Sequence, residues 1–213
     1  MYYDFDHPLF LALNFDGGPA MDRAMLLVSG TPMWLPLYAL ILWLVWRRTD
    51  WRLLLLFIGC MAAALVLADM ICGIFKHVGV LKEVWPSFPP RLRPMFTPEL
   101  EGMNVSADSL AVIRRTAVPG DWAVHVLPET ATGRYGTVSA HAAVIAALVA
   151  LACPVVRRRW FTLLMIAATL LICYSRIYLA KHFPMDLLLG AATGALTGGA
   201  AYALFRAFGR RKA

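Results

Sequence analysis

Long apolar stretches limit what this chain can fold into more than any other feature of its sequence. A helix needs about 20 apolar residues to cross the hydrocarbon core of a bilayer, where only helices and closed barrels satisfy their backbone hydrogen bonds. Five stretches have roughly this length, at residues 24–46, 53–75, 138–156, 160–179 and 183–208. The sequence therefore predicts an all-α, polytopic bundle of five transmembrane helices.

The composition agrees with a single membrane-embedded domain that covers residues 1–213. Hydrophobic residues make up 60% of the chain and charged residues only 15%, whereas soluble domains are about 25% charged. A shorter apolar run at residues 8–13 cannot cross a bilayer, and we expect it to lie in the membrane interface or to re-enter. The net charge of +7 comes from basic residues at the ends of apolar stretches, which argues against nucleic acid as a partner.

Three groups of basic residues predict the orientation of the spans. They lie between the first two spans, between the third and fourth spans and after the fifth span: Arg47, Arg48, Arg52, Arg157, Arg158, Arg159, Arg206, Arg210, Arg211 and Lys212. With five spans, all three groups fall on one side, which is cytoplasmic by the positive-inside rule. We therefore expect a multi-pass protein of the inner membrane, with residues 76–137 and 175–182 on the periplasmic side.

Two features between and within the spans carry further expectations. The loop at residues 76–137 is too long for a simple connection, and we expect a lid with short helices, one of them amphipathic at residues 106–115. Gly190, Gly194 and Gly198 recur every four residues in the fifth span. Such a stripe of small residues permits close helix packing, within the bundle or, as the minor alternative, along a dimer seam.

Polar residues that are unusual for a membrane boundary stand between the fourth and fifth spans. Arg176, His182 and Asp186 are costly there unless they face a polar cavity or a ligand. Pro184 suits the first turn of a helix, which would place Asp186 in that turn and within reach of His182. A carboxylate on one ring nitrogen would leave the other nitrogen as a nucleophile or base. The alternative is a capping aspartate beside an interfacial histidine.

A second group of polar residues lies at the start of the third predicted span. Ser139 is a good N-cap, so the backbone N–H groups of Ala140 and His141 would point outward at a helix N-terminus, which favours anions. An ordinary helix cap is the alternative. The cations available nearby on the predicted outer side are arginines and lysines suited to phosphate: Lys76, Lys82, Arg91, Arg93 and Arg176.

Together these residues resemble the motifs of the type 2 phosphatidic acid phosphatase (PAP2) family, which shares its fold with vanadium haloperoxidases. The third motif of that family, Ser-Arg, five residues, His, three residues and Asp, stands complete from Ser175 to Asp186. The second motif, usually Pro-Ser-Gly-His, is here Val138-Ser139-Ala140-His141. The first motif is usually a lysine, six residues and Arg-Pro. Arg93-Pro94 is present, but proline stands where the lysine is expected; the candidates are Lys76, followed by an insertion, and Lys82.

The resemblance implies a role for each matching residue. His182 would attack phosphorus to form a phosphohistidine, Asp186 would orient His182, and His141 would protonate the leaving oxygen and later activate water. The phosphoryl oxygens would be held by the side chains of Lys76, Arg93, Arg176 and Ser139 and by the backbone N–H of Ala140. The family's chemistry needs no metal or cofactor, and no carboxylate cluster that could bind a metal is evident in the sequence.

The resulting expectation is an integral membrane lipid phosphatase whose first candidate substrate is undecaprenyl diphosphate, converted to undecaprenyl phosphate. Phosphatidylglycerol phosphate, phosphatidic acid and lipid A phosphate are rival substrates, because the sequence does not separate the headgroups. A protein that binds or transports lipid phosphates without turnover is the alternative of another class. The pair of His182 and His141 argues against it, since binding alone needs only cations.

Overall fold

The computed structural model describes residues 4–117 and 120–210, and every regular element in them is helical. The helices are α1 (His7–Leu13), α2 (Gly18–Ser29), α3 (Leu35–Trp46), α4 (Trp51–Lys76), α5 (Ala107–Thr116), α6 (Ala140–Val156), α7 (Arg159–Tyr178) and α8 (Pro184–Arg210). The expectation of an all-α fold is confirmed for these residues.

Three or four helices have the length and hydropathy of a membrane span, so the five spans that the sequence predicted are not confirmed. Three helices, α4, α7 and α8, are long and apolar enough to cross a membrane, and a fourth span results if α2 and α3 are counted as one. The predicted span at residues 24–46 is broken, because α2 and α3 meet at an angle of 67°. Helix α6 is apolar but only 17 residues long. The described residues are thus those of a membrane protein with three or four candidate spans.

The break between α2 and α3 has a local cause. Gly30 adopts an extended conformation after α2, and Pro32 cannot donate the hydrogen bond that a continuous helix would need there. The indole Nε1 of Trp34 donates instead to the carbonyl of Val28 at 2.7 Å, which satisfies one carbonyl at the interrupted end. The chain therefore turns where apolar composition alone predicted a straight helix.

Helices α6 and α8 form the centre of the bundle, and α4 packs against both. A Cβ added at Gly190, Gly194 or Gly198 would collide with a backbone carbonyl of α6. The glycine stripe is therefore a packing face within the bundle, as the main interpretation predicted. Close packing of this kind lets two backbones approach each other and places the N-termini of α6 and α8 side by side.

The loop between α4 and α6 has a core of its own. The buried guanidinium of Arg114 in α5 pairs with Glu101 and lies 4.0 Å from the ring centre of Trp122. Glu101 also accepts hydrogen bonds from the backbone N–H groups of Ala123 and Val124. Ser106 caps α5, which lies where the sequence predicted a short amphipathic helix. Met95 and Phe96 are buried in one apolar cluster with the turn between α7 and α8, so the loop rests on that turn.

The predicted interfacial segment forms the short helix α1. Phe10 of this helix is fully buried and packs edge-on against Phe183, with ring centres 5.2 Å apart. His7 stacks on the same ring at 4.8 Å. Helix α1 therefore supports the turn that carries His182, in the same apolar cluster as residues of the long loop.

Candidate active site

The third motif bends sharply between α7 and α8, which brings His182 into the interior. Ala180 has a left-handed backbone conformation with φ of 49°, which is costly for a residue with a side chain. The N–H groups of Lys181 and His182 both donate to the carbonyl of Arg176. As a result His182 is only 2% exposed and its ring faces the loop between α4 and α6.

The partner that orients His182 is a backbone carbonyl. Nδ1 of His182 lies 2.8 Å from the carbonyl oxygen of Gly136, whereas Oδ2 of Asp186 lies 3.8 Å away, beyond hydrogen-bond distance. The sequence interpretation, in which Asp186 bonds the imidazole directly, is corrected on this point. A proton on Nδ1 that is donated to Gly136 leaves the lone pair of Nε2 free for attack on an electrophile. A side chain at Gly136 would crowd Asp186 Oδ2 at 3.2 Å, so glycine permits this approach.

Asp186 organises the start of α8. Its Oδ2 accepts the backbone N–H of Phe183 at 3.0 Å, which is a capping bond at the helix N-terminus. Nη1 of Arg91 lies 3.9 Å from Oδ1 of Asp186. Asp6 pairs with the same guanidinium and also accepts the N–H of Met185. The carboxylate of Asp186 therefore stands 3.8 Å behind His182 in a network with Asp6 and Arg91, and sequence reasoning missed Asp6 because it lies 180 residues away.

His141 lies in the first turn of α6, beside the N-terminal end of α8. Ser139 is the N-cap of α6, and its backbone N–H donates to the carbonyl of Asp186 at 2.9 Å. His141 lines a cavity of about 220 Å³ that extends between the helices. Ser29, at the end of α2, lines the same cavity as His141. The two predicted histidines are thus held on adjacent helix ends.

Three cations act on both histidines. Arg176 is 6% exposed, hydrogen-bonds the hydroxyl of Ser29 and has a buried Nε with no hydrogen-bond partner in the described part of the chain. Arg93 donates to the carbonyls of Tyr135 and Thr132 at 3.1 and 2.8 Å. The charges of Arg176, Arg93 and Lys76 all act on His182 and His141. The cluster can hold a multiply charged anion beside Nε2 of His182.

The structure separates the two lysines between which the sequence left a choice. Lys76 ends α4 and lies among the cations that act on His182. The side chain of Lys82 is 56% exposed, and its Nζ lies 3.8 Å from Oε1 of Glu83. Lys76 therefore belongs to the cationic cluster, and Lys82 lies on the surface of the loop.

Burial and the three cations keep His182 neutral. Both lower the pKa of His182 well below the ordinary value of a histidine, with desolvation as the larger cause. The imidazole is therefore unprotonated at neutral and mildly acidic pH. A neutral imidazole with a fixed tautomer is the form of histidine that can attack phosphorus.

Lys181 is a site residue that sequence reasoning missed. It is 7% exposed, and its Nζ donates to the carbonyl of Thr130 and to the hydroxyl of Thr132 at 3.2 Å. Burial first, and then the charges of Arg93 and Arg176, lower the pKa of Lys181 to about 7. Its position beside His182 in the third motif was the signal available in the sequence, but nothing there predicted that the side chain turns inward.

We expect the affinity of the site for a dianion to fall by about 10-fold between pH 6 and pH 9, because Lys181 loses its proton as the pH rises through about 7. Sulfate is a suitable probe, since it stays a tetrahedral dianion over this range. Lys181→Arg, which keeps its charge, should bind sulfate equally well at both pH values, and Lys181→Met should bind it weakly at both. Calorimetric titration of the three proteins measures this, and a wild-type pH dependence that persists in Lys181→Met would contradict it.

The structure also corrects the expectation that the chain has no carboxylate cluster. Asp16, Asp22 and His125 place one ligand atom each within 4.8 Å of the others. Asp22 Oδ1 accepts the hydroxyl of Tyr178 at 2.6 Å and lies 3.0 Å from Nε2 of His125. These bonds connect α2 and α7 to the long loop, so the cluster already has a structural role in holding the loop.

Comparisons with known proteins agree with the resemblance that the motifs predicted. The chain is 28% identical over 195 residues to the lipid A 4'-phosphatase of Bacteroides thetaiotaomicron, which covers 92% of the chain and 74% of that relative. It is 22% identical over 197 residues to the lipid A 4'-phosphatase of Porphyromonas gingivalis, which covers 92% of the chain and 71% of that relative. No solved structure matches the chain. The sequence model of the PAP2 superfamily matches residues 60–210, the part that carries both histidines and the cations, and the chain belongs to that superfamily.

Proposed function

We propose that this PAP2 protein hydrolyses a phosphate monoester of a lipid A-type glycolipid through a phosphohistidine at His182. The observation that carries the proposal is the state of His182: it is buried, it is kept neutral, its Nδ1 faces the carbonyl of Gly136, and three cations surround it. A neutral nucleophile inside a cationic cluster is suited to phosphoryl transfer, which relies on positioning and on charge stabilisation. A protein that only binds lipid phosphates would need the cations but not this histidine.

The reaction proceeds in two displacements at phosphorus. Nε2 of His182 forms a bond to phosphorus while the bond from phosphorus to the lipid oxygen breaks. The negative charge of the bound phosphate offsets the three cations and favours the protonated form of His141, which gives its proton to that oxygen. Nδ1 of His182 keeps its proton throughout, and this N–H stays hydrogen-bonded to the carbonyl oxygen of Gly136. His141, now neutral, takes a proton from water, whose oxygen attacks phosphorus and releases inorganic phosphate from His182. Acid–base assistance of this kind contributes about 10²- to 10⁴-fold.

The remaining site residues hold the phosphoryl group and the nucleophile. Arg176, Arg93 and Lys76 neutralise the equatorial oxygens, with guanidinium groups suited to two oxygens at once. Ser139 and the N–H of Ala140 add donors at the N-terminus of α6, which favours anions. Asp186, at 3.8 Å from the ring, supplies a negative charge that favours the positively charged phosphohistidine. The chemistry assigned to these residues involves no metal or cofactor.

The choice of substrate class follows from the relatives. Both curated relatives with broad coverage are named lipid A 4'-phosphatases, and they match nearly the whole chain rather than the motifs alone. Headgroup recognition in such a protein lies outside the shared motifs, in the loop and the helix faces that these alignments also cover. We therefore place a glycolipid phosphate before undecaprenyl diphosphate, which was the first candidate from the sequence.

Phosphate release from a panel of pure lipids in detergent tests the proposal. The panel contains lipid A with a 4'-phosphate, undecaprenyl diphosphate, phosphatidylglycerol phosphate and phosphatidic acid. We expect kcat/KM for lipid A to exceed that of the others by at least about 10-fold, the effect of about 1.4 kcal/mol of selective binding. Activity should be unchanged in EDTA. A preference for undecaprenyl diphosphate would restore the first candidate, and the absence of release from every lipid would favour a binding or transport protein.

We further propose that the protein lies in the inner membrane with its active site on the periplasmic side. In this proposal α6, which packs along α8 with its N-terminus at the same end, also crosses the membrane. The three basic groups then lie together on the cytoplasmic side, as the positive-inside rule requires. In a variant whose four native cysteines are replaced by Ala, a cysteine at the exposed Asn104 should react with a membrane-impermeant thiol reagent in cells whose outer membrane is permeable to it. A cysteine at Thr49 should react only after the inner membrane is opened. The reverse labelling pattern would place the site on the cytoplasmic side.

A further inference from the structure

A carboxylate lies within α4, about two turns before the C-terminal end of this apolar helix. Asp69 lies in α4, which is one of the helices apolar enough to cross a membrane. Asp69 lies seven positions before Lys76 in this helix, or about 10 Å away along the helix axis. Its side chain is exposed on the helix surface. An ionisable residue within a transmembrane helix is costly and marks a functional position.

The surroundings of Asp69 connect it to the catalytic residues. Asp69 and His141 line the same cavity of about 220 Å³. Ala68, the residue before Asp69, is fully buried in one cluster with Ala143 of α6. The cavity therefore runs from His141 between α4 and α6 toward the bent pair α2 and α3. Most of its other walls are apolar, from Trp34, Leu37, Val144, Ile145, Leu148 and Ile172.

The charge of Asp69 acts on Lys76, but among the described residues its carboxylate is in direct polar contact with none. Within residues 4–117 and 120–210 it makes no ion pair and no hydrogen bond, and the only other polar side chains on the cavity wall besides His141 are Ser29, Thr31 and Tyr38. A carboxylate beside apolar walls accepts strong hydrogen bonds, because little water competes for its oxygens. The cavity therefore combines a carboxylate that can accept hydrogen bonds from a ligand with apolar walls that can contact hydrocarbon.

We propose that Asp69 determines substrate specificity by accepting a hydrogen bond from a hydroxyl or amide N–H on the lipid part of the substrate, whose phosphate lies at His182. This inference rests on the proposed lipid phosphatase function. The distance of about 10 Å along α4 from Lys76 to Asp69 places the donor close to the phosphate-bearing headgroup. Acylated amino sugars carry amide and hydroxyl donors at such positions.

The same carboxylate rejects lipids without donors. A polyprenyl chain or a simple acyl chain in the cavity would cover Asp69 without replacing its hydrogen bonds to water, and a charged group left unpaired in this way is strongly unfavourable. A site that is built to pair with a donor discriminates against the analogue that lacks it, and specificity arises from this repulsive element as well as from attraction. Asp69 thereby separates glycolipid phosphates from polyprenyl and diacylglycerol phosphates.

The test compares Asp69→Leu and Asp69→Asn with wild-type protein on two substrates in the same detergent. One is lipid A with a 4'-phosphate; the other is diacyl phosphatidic acid, whose acyl chains carry neither hydroxyl nor amide. For lipid A we expect Asp69→Leu to raise KM by about 10- to 100-fold with kcat within twofold, the range of a hydrogen bond to a charged group. For phosphatidic acid KM should stay equal or fall. Asp69→Asn keeps an acceptor oxygen and should lose less. Asp121→Leu, at an exposed loop carboxylate, is the matched control.

The outcomes separate this inference from the function on which it rests. If wild-type protein releases phosphate from neither lipid, the proposed function fails before Asp69 is tested. If wild-type protein is active and Asp69→Leu raises KM equally for both lipids, or lowers kcat and the melting temperature together, then Asp69 supports the fold or Lys76 and the specificity role is overturned. An unchanged KM for lipid A in Asp69→Leu overturns it as well.

Discussion

Replacement of His182 with Ala is expected to lower phosphate release by at least about 10⁴-fold, the upper end of the effect of a group that acts directly on the reacting atoms. The side chain lies in a tight environment and is 2% exposed, so His182→Gln serves as a second variant of similar size. Both should keep the melting temperature within a few degrees and the helical content of the wild-type protein. Retention of more than a tenth of wild-type turnover by either variant would remove His182 from the role of nucleophile.

The same step can be observed directly. His141→Ala should slow the second displacement, because no other side chain is assigned to activate water. With ³²P-labelled p-nitrophenyl phosphate, whose leaving group needs no proton, the first displacement should persist. The protein should then carry label that is stable to alkali and lost in acid, as expected for phosphohistidine. His182→Ala should take up no label. His77→Asn is the matched control: His77 follows α4 with a left-handed backbone (φ 53°), which asparagine tolerates, and activity should stay within twofold. Label on a residue other than His182 would overturn the covalent mechanism.

Lys76→Met is expected to lower kcat/KM by at least about 10²-fold, whereas Lys82→Met should change it by less than twofold. The reason is position: the charge of Lys76 acts on both histidines, and Lys82 is half exposed beside Glu83, where an ion pair has little energetic effect. Removal of one oxyanion-stabilising donor typically costs about 10²- to 10³-fold in rate. Steady-state assays of the two variants, with melting temperatures as the control for folding, decide the matter. The opposite ranking would transfer the role of the first-motif lysine to Lys82.

Local sequence patterns predicted the parts of the site that depend on neighbours in the chain. Ser139 as the cap of α6 follows from the preference of serine for N-caps, and α5 lies where an amphipathic pattern predicted a short helix. The glycine stripe of α8 follows from its four-residue repeat and packs on α6 as predicted. These features need only a helical period and one capping residue, and both can be read from a few consecutive letters.

Hydropathy predicted less well how many helices cross the membrane. It measures apolar length, and residues 24–46 have that length. It does not register that Gly30 and Pro32 interrupt the helical hydrogen bonds, so the structure has two helices at 67° where the sequence indicated one span. The bend matters for the site, since it brings Ser29 to His141 and Arg176.

The sequence by itself determined that this is a helical membrane protein of the PAP2 superfamily, because apolar length and the spacing from Ser175 to Asp186 are properties of adjacent residues. Only the tertiary structure decided which groups meet. Nδ1 of His182 bonds the carbonyl of Gly136, 46 positions away, and a backbone carbonyl carries no signature in the sequence. The inward turn of Lys181, the link from Asp6 to Asp186 and the place of Asp69 on the cavity wall depend likewise on how the helices pack, since each joins elements that are distant in the chain.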